Sequence, residues 1–269
     1  MLNIDDLEPI LDEEDENDEE VDPYKKKLFE IKCLEEELAY HEASHFVFSC
    51  IFQRLIDGFT PVEGIEICAE NIKDGNSNLV KGFVPNIPHE ETYGTNNVEA
   101  PKVLEFFKSD TRRLLAKFIV LISGFSSYQV FIEENNYCIG SPESLEFNND
   151  KTKFSMLYFT VRTAIHSQTT DFTIFFKMLR NYCNVEEVNS IELTTDLVNA
   201  IQEIMKIQCI SDSIRYVKNI LIRYKCKRIE GQELVPIMFE IHRLTAQFKF
   251  EAIERHCNKI LVDLGIIKP

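Results

Sequence analysis

The sequence feature that most limits what this chain can fold into is the His-Glu-x-x-His run His41-Glu42-Ala43-Ser44-His45, set in a segment that reads as helix. At 3.6 residues per turn, positions four apart lie one above the other. His41 and His45 are thus placed to offer two imidazole nitrogens to one metal ion. An ion held this way needs a third protein ligand and an open position for water, and Glu42 stands where it could take that water's proton. This is the pattern of a zinc-dependent hydrolase. The same residues could also fall on an ordinary helix, each satisfied by hydrogen bonds. The context argues for the metal: Leu38, Ala39, Phe46, Val47, Phe48, Cys50 and Ile51 make the segment largely apolar. The three polar residues would then line the wall of a core, where polar groups need partners.

With its flanks, the run Ala39-Tyr40-His41-Glu42-Ala43-Ser44-His45 resembles the A-Y-H-E-A-G-H-A segment of the FtsH-type zinc metallopeptidase domain, with Ser44 for Gly and Phe46 for Ala. Ser44 is small enough for close helix packing, whereas Phe46 adds bulk that would alter the pocket wall. A second run, Ile119-Val120-Leu121-Ile122-Ser123-Gly124-Phe125-Ser126-Ser127, resembles that family's V-L-L-G-G-R-A-A-E helix. Gly124 matches a glycine there, and the family's Arg and Glu have no counterpart. The family takes its third ligand, an Asp, from a later helix start of the form G-A-x-N-D-L-x-x-A. The resemblance implies Asp150 for that role, in Phe147-Asn148-Asn149-Asp150-Lys151. Asn149 or Asp150 could equally cap the helix that follows. Glu143, Glu146 and Asp171 are weaker choices, and no glutamate further along the motif helix fits. The resemblance spans at most residues 30 to about 260, firmly only these three motifs. The phosphate-binding loop Gly-x-x-x-x-Gly-Lys-[Ser/Thr], which FtsH-type enzymes carry in their ATPase, does not occur in the sequence.

Charge is distributed unevenly. Twelve of the 45 acidic residues and none of the 29 basic ones fall in residues 1–22, so the net charge of −16 drops to −4 for the remainder. A run such as Asp12-Glu13-Glu14-Asp15-Glu16 repels itself and buries nothing, so residues 1–21 are expected to be a disordered acidic tail, with docking to a partner as its functional alternative. Residues 22–269 are expected to form a single domain. No basic excess suggests a nucleic-acid surface. The eight cysteines are scattered singly, as core thiols of a reducing compartment would be. No apolar segment precedes the acidic tail as a signal peptide would, and the most apolar run, Phe118 to Phe125, is too short for a spanning helix, so the expected setting is the cytoplasm, with no membrane partner.

The remaining pattern predicts a mainly α fold of α+β type, a helical bundle with a small β-sheet next to the motif helix. Asp22-Pro23 starts a helix that should run to Leu55 or Ile56 and stop before Gly58 and Pro61. Residues 63–68 and 79–84 read as short strands around the turn-rich 74–78, and 85–100 as a loop holding His89. A strand edge there could bind an extended peptide or merely cover the core. Helical patterns follow from Pro101 through Ile122, Lys151 to Cys183, Thr194 to Tyr224 and Leu234 to Leu264, with 184–189 and 227–232 as connections. His166, His242 and His256 lack partners at ligand spacing and read as structural. The expected function is zinc-dependent hydrolysis of peptide bonds, with His41, His45 and Asp150 as ligands and Glu42 as base. Its substrate would be a peptide or unfolded protein. The alternative is an inactive peptidase-like scaffold that serves as a protein-interaction module. A cysteine hydrolase has no oriented Cys and His pair to recommend it.

Overall fold

The computed structural model describes residues 23–59, 63–68, 81–83, 111–135, 175, 179, 187–224 and 227–263. The acidic segment 1–22, the loop 85–100 and the stretch around Asp150 lie outside them. Helix α1 runs Pro23–Leu55, as its spacing predicts. Proline presets the backbone of the first turn, and past the far end Gly58 turns the chain with φ of 68°, a conformation that glycine adopts without strain. Ala39, Ala43, Phe46, Val47, Phe48, Cys50, Ile51 and Phe52 of this helix have no exposed surface at all. A helix apolar on every side must be wrapped by other elements, and α1 is the axis of the bundle.

Helix α2 (Thr111–Asn135) lies along α1 in the opposite direction. Near its start, the Arg113 guanidinium donates to the carbonyls of Asp57 and Gly58, just past the end of α1. Near its far end, the Phe131 ring packs on Tyr40 with centroids 5.5 Å apart. This antiparallel pairing brings residues 120–124 opposite residues 41–45 and so decides the geometry of the site.

A three-stranded antiparallel sheet flanks α1, with strands β1 (Gly64–Cys68), β2 (Lys81–Phe83) and β3 (Ile229–Glu230) in the order β2-β1-β3. Ile67 stands opposite Gly82, and Ile65 opposite Ile229. Alternate residues of a strand face the same way, and Ile65 and Ile67 are the buried pair. Strand β3 falls in a segment expected to be a plain connection. Two residues are too few for alternation to show, and only pairing with β1 makes them a strand.

Both C-terminal helical patterns are interrupted. The first becomes α3 (Glu187–Met205) and α4 (Gln208–Arg223), joined through an extended Ile207 with ψ of 124°. A straight helix continuing the buried stripe of Leu197, Ile201 and Ile204 would turn Gln208, Arg215 and Lys218 inward. The break shifts the stripe by one residue, so that Ile210, Ile214, Val217 and Leu221 are buried instead. The second pattern becomes α5 (Leu234–Leu244) and α6 (Phe250–Asp263). Arg54 of α1 fixes this corner by donating to the carbonyls of Thr245, at the end of α5, at 2.8 Å and of Phe248, in the turn that follows, at 3.0 Å. Phe175 and Leu179 are also helical and buried, with Phe175 edge-on to Phe118. The protein is mainly α with a small sheet. Among the described residues no helix is long and apolar enough to cross a membrane.

Candidate metal centre

The motif sits in the buried half of α1, facing α2. His45 is 1% exposed and Glu42 6%, while the His41 side chain keeps about a third of its surface open. His45 Nδ1 lies 2.6 Å from the carbonyl oxygen of Val120. A carbonyl can only accept, so Nδ1 carries the proton and Nε2 presents its lone pair. Ser123 reinforces the arrangement: its hydroxyl donates to the same carbonyl at 2.9 Å and lies 3.3 Å from Nδ1. Fixing one ring nitrogen by a backbone carbonyl is how a ligating histidine is normally oriented.

The Nε2 atoms of His41 and His45 converge to 3.1 Å, with the rings edge to face. Two nitrogens bound tetrahedrally to one zinc at 2.0–2.1 Å would lie about 3.3 Å apart. The Glu42 carboxylate approaches the same point, with Oε1 3.9 Å from His41 Nε2. Gly124 of α2 closes the opposite side. A β-carbon there would collide with Nε2 of both histidines, so only glycine leaves room at that wall. One oriented donor, a second that converges on it, an adjoining carboxylate and a cleared wall fit a zinc ion as far as the described residues reach. Among those residues no group of three or more His, Cys, Asp or Glu comes together to hold a metal. Asp150, the expected third ligand, lies outside the described residues, as do Glu143, Glu146, Asp171, His89 and His166.

The residues that depart from the FtsH-type pattern are accommodated locally. Ser44 is fully buried, and its hydroxyl donates back to the Tyr40 carbonyl at 2.8 Å. Phe46 is wholly in the core. The other candidates stand apart from the pair. His242 is hydrogen-bonded to the Cys50 carbonyl at 3.2 Å, and His256 is exposed. Cys50, Cys209 and Cys257 are free thiols. Burial pushes Cys50 upward and Cys257 to about 12, so neither ionises as a nucleophile would. The Val120 carbonyl and Ser123 were not singled out by the sequence reading, since neither belongs to a ligand type. No protein-family model, curated protein or solved structure matches the chain.

Proposed function

We propose that this protein is a zinc-dependent peptidase whose metal helix resembles that of the FtsH-type domain and whose substrates are peptides or unfolded protein segments. One observation carries the reading: two Nε2 atoms 3.1 Å apart, one of them held in ligand orientation by the Val120 carbonyl, with a buried glutamate alongside. His41 and His45 would hold the ion, with Asp150 as the third ligand proposed from the sequence pattern. When bound, zinc supplies a water of lowered pKa and a Lewis acid for the scissile carbonyl. Glu42 follows His41 directly and faces the same point. Its carboxylate accepts the proton of the attacking water and hands it to the leaving amine. The low exposure of Glu42 and His45 keeps bulk water from competing for that proton. Free thiols at Cys50, Cys209 and Cys257 are in keeping with a reducing, cytoplasmic setting.

A second reading has a specific observation behind it. At 3.1 Å the two imidazoles are also within hydrogen-bond distance of each other, so the pair could be closed without metal in a scaffold that binds a partner. One experiment separates the two. Purified protein should retain about one zinc per chain, and His45→Ala and Asp150→Ala should each lose it. Glu42→Gln should keep the zinc while hydrolysis of an unfolded protein or a peptide library falls about 100-fold or more. Full zinc without cleavage by the parent would favour the scaffold.

A further inference from the structure

Ser123 is fully buried in α2 and forms a close triangle with the two groups that fix the His45 ring. Its hydroxyl donates to the Val120 carbonyl at 2.9 Å, its oxygen lies 3.3 Å from His45 Nδ1, and that nitrogen lies 2.6 Å from the same carbonyl. A hydroxyl has one proton to give and two lone pairs with which to accept. With the proton committed to Val120, the Ser123 oxygen can meet Nδ1 only as an acceptor. Nδ1 therefore faces two oxygens, neither of which has a proton to offer it. Were the ring to carry its proton on Nε2 instead, a bare Nδ1 would be pressed against both sets of lone pairs, in a buried place where a lost hydrogen bond is not replaced by water. The carbonyl alone gives the ring a partner. Ser123 adds the penalty for the other tautomer, because an uncommitted hydroxyl could turn and donate to Nδ1. Bonding back to one's own helix is also a serine habit that bends helices locally, a means of turning the Val120 oxygen toward a second donor on α1.

We propose that Ser123 is a positioning residue: by committing its proton to Val120 it bars the Nε2–H tautomer of His45, so the lone pair meant for the metal is set before any ion arrives. This deepens the peptidase reading and rests on it for the metal, whereas the state of the ring is read without one.

The test uses the full chain. The ring nitrogens are followed in metal-free protein by two-bond proton–nitrogen NMR at pH 8, and zinc affinity is measured by competition with a chelator. Ser213 supplies the control, since it too is fully buried and bonds back to its own helix, α4, at the Cys209 carbonyl 2.7 Å away. Parent and Ser213→Ala should both show His45 protonated on Nδ1 alone and should bind zinc alike. Ser123→Ala should carry the proton on Nε2 in a measurable share of molecules and bind zinc about tenfold more weakly or worse, the range usual for losing a group behind a ligand. Ser123→Cys fills the same space with a weak donor and acceptor, and should shift the tautomer in the same direction. An unchanged tautomer in both Ser123 variants overturns the proposal whatever the zinc does, and so does an equal loss of zinc in Ser213→Ala. If the tautomer shifts as expected but the parent binds no zinc, the metal reading fails and Ser123 keeps its role on the ring.

Discussion

Between Phe46 and Arg54, helix α1 is built for packing and carries few polar groups: Ser49 donates to the His45 carbonyl at 2.8 Å, and Arg54 spans two carbonyls of the α5–α6 corner. Between Glu37 and His45 the same helix buries or half-buries two carboxylates and two imidazoles at positions where apolar residues would pack at less cost. The two halves share one axis and one flanking helix, so neither propensity nor location explains the contrast. What separates them is purpose. The C-terminal half answers to stability, and the N-terminal half buries polar groups that packing alone does not require.

The contrast should show most strongly in Phe52→Ala. Phe52 is fully buried among Phe48, Phe59 and Phe250, and its truncation should cost about 3–5 kcal/mol in denaturant melts. An effect under about 1 kcal/mol would mean that the C-terminal half is not the stabilising one. Gly124→Ala should come next, at about 1–3 kcal/mol, because the added methyl collides with both imidazoles. It should also weaken zinc retention at least tenfold, measured by competition with a chelator. Retained affinity would place the ion elsewhere.

The smallest effect belongs to Glu37→Gln, and its sign is opposite. Glu37 titrates near 7 in the fold against 4.5 when solvated. The folded state thus binds the extra proton between those values, and stability falls as pH rises from about 4.5 to 7. The penalty is complete above that window, at roughly 2 kcal/mol after allowance for partial solvent access. The variant should lose this slope and gain about that much at pH 8. An unchanged pH profile would remove Glu37 from the costly half.

Much of the fold was legible because its signals are periodic. The extent of α1 followed from apolar spacing between Pro23 and Gly58, and β1 and β2 from short apolar runs around a turn-rich stretch. The breaks at Ile207 and Thr245 were hidden because helix-forming residues continue through both. One follows from a one-residue shift of the buried stripe, and the other is held by Arg54, 191 positions from Thr245. In the site, His41, Glu42 and His45 were readable from spacing. The Val120 carbonyl was not, since every residue has one and only docking selects it. Gly124 was visible as a matching glycine, but its role against the histidines emerges only from the antiparallel pairing of α1 and α2.

The hydrogen bond from His45 to Val120 spans 75 positions, so the geometry of the histidine pair is not a property of the helix that carries it. As an isolated peptide, α1 would hold two freely rotating imidazoles. The oriented pair comes into being when α2 docks and the β1–β2 segment between them has closed its loop. On the zinc reading proposed above, metal affinity becomes a gauge of tertiary assembly: a zinc titration along a refolding time course would time the meeting of α1 and α2, and lesions that merely loosen that contact would register as weaker binding before any unfolding is seen.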